Sequence, residues 1–144
     1  MLSVRSIWLD MKGILRSTRR LINADLEPLG LSGAEGDVLF HLFTGSDGFQ
    51  QEQLAEQLDI GKAAISRVIN ALEAKGYVAR RRLQNDNRAY SVSLTDKGLP
   101  VGAEIQGIYD ALFARVRSGI DDRDFRQIEA LLCRVAANLQ SEGE

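Results

Sequence analysis

The chain has 144 residues, of which 44% are hydrophobic and 26% charged, and a formal net charge of −2. This balance fits one globular domain, or a small domain with helical extensions, and excludes a disordered or low-complexity chain. There is no 18-residue apolar run, the stretch MLSVRSIWLDMKGILRSTRR is too interrupted by charge for a signal peptide or membrane span, and a lone Cys133 forms no internal disulfide, so the expectation is a cytoplasmic protein without a membrane partner.

Val4, Ile7, Trp8, Met11, Ile14, Leu15, Leu21 and Ile22 recur at three- and four-residue spacings, which predicts a long amphipathic helix ended by Pro28 and Gly30. Ser32 to Glu35 form a capping-box pattern ahead of Val38, Leu39, Leu42 and Phe43, the buried stripe of a second helix. GSDG (45–48) reads as a turn and Phe49 as part of a very short strand. Two further stripes follow, Leu54, Ala55 and Leu58, then Ile65, Val68, Ile69 and Leu72, separated by Asp59-Ile60-Gly61 and stopped by Gly76. Two helices joined so tightly, with a small Ala55 at their approach, form a helix-turn-helix pattern.

Residues 77–83 and 90–94 are β-prone and joined by QNDNRA, with Tyr90, Val92 and Leu94 alternating against Ser91 and Ser93. They predict a hairpin with the first set on the core and a helix starting near Thr95. A helix-turn-helix followed by a hairpin is a winged helix, and the combination is more specific than either half. Beyond it, Val101, Ile105, Ile108, Leu112 and Val116 mark one helix. Phe125, Ile128, Leu131, Leu132, Val135 and Leu139 mark another, with Asp121 as its N-cap. The expected class is mainly α (an α+β winged helix), with 1–31 and 100–144 as flanking dimerisation helices and 32–99 as the winged unit. The flanking helices hold more apolar surface than so small a domain needs, which predicts a homodimer.

Charge is uneven. Residues 62–97 carry eight basic groups against three acids, a balance of +5, while the remainder sums to −7. That is the footprint of a polyanion-binding surface, although a solvated basic face without a partner would look the same. On a helix over 62–75, Ala63, Ser66, Arg67, Asn70 and Ala74 oppose the apolar stripe. Ala63 and Ala64 allow close approach to a major groove, Ser66, Arg67 and Asn70 reach base edges or phosphates, and Lys62 favours a phosphate at the helix start. An ordinary solvent-facing helix is the alternative. At the hairpin tip Arg88 suits a minor groove, whereas Asp86 repels phosphate and fits better as an acceptor for Arg88, Arg80 or turn amides. A plain turn would also use Asp and Asn there.

One His, no Gly-rich phosphate loop, no nucleophile motif and no metal-ligand spacing leave no catalytic residues, metal or cofactor to assign. The expected partner is double-stranded DNA. The competing class is a winged-helix protein-interaction module that uses the same surface for an acidic protein.

LSGAEGDVLFHLF, LAEQLDIGKAAISRVINALEAKGYVARR and DNRAYSVSLTDKG together resemble the MarR family of bacterial transcriptional regulators. The resemblance rests most on Asp86-Asn87-Arg88 followed by Leu94-Thr95-Asp96-Lys97-Gly98, and covers nearly the whole chain. It implies a winged-helix homodimer on a near-palindromic operator, acting as a repressor that a small aromatic or phenolic ligand relieves. By position, Arg88 becomes the minor-groove finger, Asp86 its orienting partner and Arg80 the strand arginine bonding Asp86, with Asn87 and Arg82 also in the wing. Trp8, His41, Tyr109 and Phe113 are the candidates for a ligand pocket, with core or interface packing as the competing reading. Two departures stand out: Asp59 occupies a turn position that is usually Gly, and Pro100 with Gly102 predicts a bend or delayed start in the following helix. Cys133 is expected to be a buried small hydrophobe.

Overall fold

The computed structural model describes residues 3–45, 48–84 and 86–140, with the backbone alone at 86–88. Ser3 caps helix α1 (Val4–Leu26), accepting from the Ser6 amide at 3.1 Å. Pro28 then sits in a single 3-10 turn (Glu27–Leu29), which Gly30 ends. Helix α2 (Gly33–Thr44) opens on the expected capping box: the Glu35 amide donates to Ser32 Oγ at 3.2 Å, and the Ser32 amide to Glu35 Oε1 at 3.1 Å. Of the turn expected at 45–48, Ser46 and Asp47 lie outside the described residues.

Strand β1 (Phe49–Gln50) leads into α3 (Gln51–Gln57) and then α4 (Lys62–Ala74). Asp59 adopts φ 52°, a left-handed conformation that Asp tolerates where Gly is usual. It completes a Schellman stop for α3: the Ile60 amide bonds Ala55 O at 2.9 Å, and the Asp59 amide bonds Glu56 O at 3.3 Å. Gly76 ends α4 in the same way, with Tyr77 N bonded to Leu72 O and Gly76 N to Glu73 O, both at 3.0 Å. The hairpin is β2 (Val78–Leu83) and β3 (Asp86–Leu94), and the sheet order is β1-β3-β2, all antiparallel. Val92 lies between Phe49 and Arg80, and the register shifts between Arg82 and Leu83, near the tip.

Helices α5 (Gly98–Arg117) and α6 (Asp122–Gln140) complete the chain, which divides into two compact units, Met1–Leu112 and Phe113–Glu144. The first holds one core that includes Leu26, Leu39, Leu54, Ile65, Ile69, Leu72, Val92 and Ile105. Ala55 is buried at the α3–α4 crossing, as its size predicted. In the second, Asp121 caps α6 by accepting from the Asp124 amide at 2.8 Å, and Arg117 pairs with Asp122. Helix α6 buries no residue of its own. Cys133 is therefore exposed in the single chain, where a buried thiol was expected. Among the described residues, no helix is long and apolar enough to cross a membrane.

Pro100 does not delay the start of α5. It is the third helical residue, and the first-turn amides need no intrahelical acceptor, so its missing N–H costs nothing there. Thr95 performs the cap, with Oγ1 accepting from the Gly98 amide at 3.1 Å while donating to Gly76 O at 2.5 Å. Two glycines permit close approach. A Cβ on Gly98 would fall inside the contact shell of the Tyr77 carbonyl, and one on Gly102 would lie 2.6 Å from Phe43 Cδ2.

Gly98→Ala is therefore expected to destabilise the fold by about 2–3 kcal/mol, because backbone blocks the new methyl. Gly107→Ala in the same helix meets nothing within 4 Å and should instead stabilise by about 0.5–1 kcal/mol. Urea unfolding of the two variants checks both signs.

Candidate nucleic-acid interface

Helix α4 is anchored by Ile65, Ile69 and Leu72, all essentially inaccessible, with Val68 half-buried beside them. Its other face presents Lys62, Ala63, Arg67, Asn70 and Ala74 as exposed residues, with Ala64 and Ser66 half-buried at the margin. The helical period thus separates the two sets as the sequence predicted. Two methyl-sized side chains leave this face shallow around Arg67 and Asn70.

What fixes the pose of α4 is an arginine from the neighbouring strand. The Arg80 side chain is 16% exposed. Its Nη1 donates to Asn70 Oδ1, its Nη2 to the Ser66 carbonyl at 3.2 Å and its Nε to Gln51 Oε1 at 3.1 Å. Glu73 supplies countercharge at 3.7 Å and accepts from the Arg80 amide at 3.3 Å. One guanidinium therefore ties α3, α4 and β2 together. Arg80, three residues before the end of β2, thus donates to both α3 and α4, while the bond expected from it to Asp86 falls on a side chain outside the described residues. The side chains of Asp86, Asn87 and Arg88 lie outside the described residues.

Tyr90 also departs from its expected place on the core. It is half-buried, its ring lies 5.8 Å from both the Arg80 and Arg82 guanidinium carbons, and its hydroxyl accepts from Arg82 Nε at 3.4 Å. The ring spaces and orients two arginines that would otherwise repel. Val92 and Leu94 do pack on the core.

At the C-terminal end of α4, Lys75 Nζ bonds Glu35 Oε2 at 2.6 Å and the Gly30 carbonyl at 2.9 Å. Burial pushes the Glu35 carboxyl up, but Lys75 and the Ser32 amide outweigh it and hold the group below its ordinary value. Lys97 Nζ bonds the Lys75 carbonyl at 3.0 Å and lies over the Tyr77 ring. Lys75, Arg80 and Lys97, three of the eight basic groups in the central segment, thus serve the fold. Lys62, Arg67 and Arg81 are exposed and have no ion pair among the described residues.

Two of the four aromatic pocket candidates, Tyr109 and His41, are engaged within the fold. Tyr109 is buried, stacks on Phe40 with centroids 4.1 Å apart, and donates its hydroxyl to Asp37, which Arg19 also binds at 2.7 Å. Burial, then the adjacent Asp37 carboxylate, push the phenol well above its ordinary range, so it remains a donor. His41 pairs with Gln57 at 2.5 Å and tilts against Phe49. Trp8 and Phe113 are exposed. Among the described residues, no three His, Cys, Asp or Glu side chains are grouped to hold a metal ion.

A MarR transcriptional regulator from Methanosarcina mazei Go1 is 30% identical, covering 93% of this chain and 96% of that one with a TM-score of 0.81. The chain belongs to the MarR family. The family's sequence model matches residues 29–89, from the 3-10 turn that follows α1 into the wing. A second solved transcriptional regulator is 29% identical over 94% of this chain and 99% of that one, with a TM-score of 0.86. The S. aureus MepR–DNA complex, at 19% identity over 96% and 99% of the two chains, shares the fold with a TM-score of 0.81.

In this MarR member, sequence reasoning missed Gln51 and Glu73 as parts of the α4 support and misplaced Tyr90. Gln51 lies 29 positions from Arg80, beyond any periodic pattern. Tyr90 carried one signal, since an antiparallel register that pairs it with Arg82 puts an aromatic face beside a cation.

The depressed Glu35 carboxyl makes a pH test. A group whose folded pKa lies below its ordinary 4.5 stabilises the fold above that value, and the contribution is lost as pH falls through the folded pKa. Glu35→Gln should cost about 1–2 kcal/mol near neutrality, discounted for the partly exposed lysine. It should also flatten the acid limb of stability below pH about 4.5, read by urea midpoints across pH 3–6.

Proposed function

We propose that the protein is a cytoplasmic, homodimeric transcriptional repressor that binds a near-palindromic DNA operator and is released by a small aromatic ligand. The observation that carries the reading is the exposed face of α4, where Arg67 and Asn70 stand among Ala63, Ala64 and Ala74, with Lys62 at the helix start. A face with small residues and donors fits a major groove about 12 Å wide, and the free amides of the first turn favour a phosphate beside Lys62. Ser66 contributes at the margin. The wing extends the surface: Arg88 enters the minor groove, Asp86 and Asn87 hold the turn, and Arg82 approaches the backbone from its Tyr90 platform. Arg80 supports from behind. The MepR–DNA complex makes duplex DNA the first ligand to test.

The dimer is supported by apolar faces on both flanking segments, 1–31 and 100–144, which frame the winged unit 32–99. Val4, Ile7, Trp8, Leu15, Leu131, Val135 and Leu139 are all exposed in the single chain, and α6 buries none of its described residues there, so its apolar stripe calls for a partner. Two-fold symmetry then sets half-sites about one helical turn, ~10 bp, apart. Trp8 and Phe113 offer aromatic surface for the releasing ligand, with His41 and Tyr109 as the polar candidates.

Fluorescence anisotropy against DNA upstream of the protein's own gene tests the reading. Arg67→Ala and Arg88→Ala should each weaken binding by about 1–3 kcal/mol without changing the sedimentation mass. Unaltered affinity in both variants, or no preference over random duplex, would rule out the assigned surface. Sedimentation should give twice the 144-residue mass at micromolar concentration, and a monomer there would contradict the dimer.

A further inference from the structure

The geometry points to Arg80 as a positioning residue that decides which base Asn70 reads: it fixes the Asn70 amide with its oxygen inward, so that α4 offers DNA a hydrogen-bond donor at that position. This rests on the DNA-binding reading above and adds a specificity to it.

A guanidinium has donors only, so the atom of the Asn70 amide facing Arg80 must be the oxygen. Asn70 is exposed, and among the described residues its Nδ2 has no partner. The clamp is over-determined, because Arg80 is held at the same time by Gln51, the Ser66 carbonyl and Glu73. Turning the amide over would place NH2 against the guanidinium, donor against donor, with the cation still largely buried.

An unconstrained asparagine reads adenine with both ends of its amide, accepting from N6 and donating to N7. Here the accepting oxygen is turned to the largely buried Arg80, and the exposed end of the amide is its NH2. What remains is a donor, which matches the acceptors O6 and N7 of guanine and leaves the adenine N6 amino group unpaired. Asn70 is therefore assigned to a guanine edge, not to adenine. A phosphate oxygen is also an acceptor, and the experiment separates the two.

Sites are selected from a duplex library with a 20-bp randomised core by wild-type protein, Asn70→Asp and Arg80→Met, and affinities are then measured on the enriched duplexes. Aspartate keeps an oxygen for Arg80 and turns the outward donor into an acceptor. Asn70→Asp should lose about tenfold or more on the wild-type sequence and should select cytosine, whose N4 donates, where the wild type selects guanine. Arg80→Met frees the amide oxygen and should admit adenine at that one position, a change that mere loosening of the fold does not produce. If Arg80→Met fails to fold, the Asn70→Asp result decides alone.

Adenine selected there by the wild type, or unchanged affinity and preference in Asn70→Asp, would overturn the assignment. So would a uniform loss over all sequences with a shallower salt dependence, which would place Asn70 on a phosphate. A wild-type protein that enriches no sequence would overturn the DNA-binding reading itself, and this one with it.

Discussion

A guanidinium withdrawn from water needs its donors satisfied, and at Arg80, on β2, the groups that satisfy them belong to two other elements. Desolvating the charge is expensive unless every direction of the planar fork finds an acceptor. Here Gln51 brings the start of α3, Asn70, Ser66 and Glu73 bring successive turns of α4, and the arginine itself stands on β2. Apolar packing of Ile65, Ile69 and Leu72 sets how deeply α4 sits. Because that packing is non-directional, the rotation of the helix about its axis needs directional bonds, and Arg80 supplies them. A lysine, with its flexible point charge, would not hold the same set.

Electrostatics follows from that division of labour. A basic count along the chain treats every cation alike, but Lys75 with Glu35, Arg80 with Glu73 and Lys97 against a carbonyl and an aromatic ring are turned inward to the fold. Only side chains without internal partners project a field that a polyanion can feel beyond about 10 Å in physiological salt. Lys62, Arg67 and Arg81 meet that condition among the described residues. The useful field is smaller than the sequence suggests.

Features written within a few residues of each other were legible in the sequence. The Ser32–Glu35 box, the Asp59 and Gly76 stops, the Asp121 cap and both faces of α4 depend on spacings of two to four residues, and each formed where those spacings put it. Long-range partnerships were not legible. Arg80 with Gln51, Tyr109 with Asp37, and Lys75 with Glu35 join residues tens of positions apart, and nothing in the alternation of β2 or β3 reports them. Tyr90 shows the limit most clearly: strand periodicity assigned its face correctly relative to Val92, but not that the edge of that face lies under arginines instead of the core. Pro100 was misjudged by a matter of two residues, since a proline is costly inside a helix and harmless in its first turn.

The absence of a side chain at Gly98 has a mechanical meaning. With the Tyr77 carbonyl against it and Thr95 bonded across to Gly76, the root of α5 and the root of the wing have no slack between them. The helix that leaves this point has 20 residues, a rod of about 30 Å at 1.5 Å per residue. A tilt of only about 5° in such a rod sweeps its far end through roughly 2.6 Å. Run in reverse, the same leverage makes a displacement of that size at the distal end a few degrees of rotation where the wing begins. Glycine at position 98 is what makes α5 a lever with a tight fulcrum.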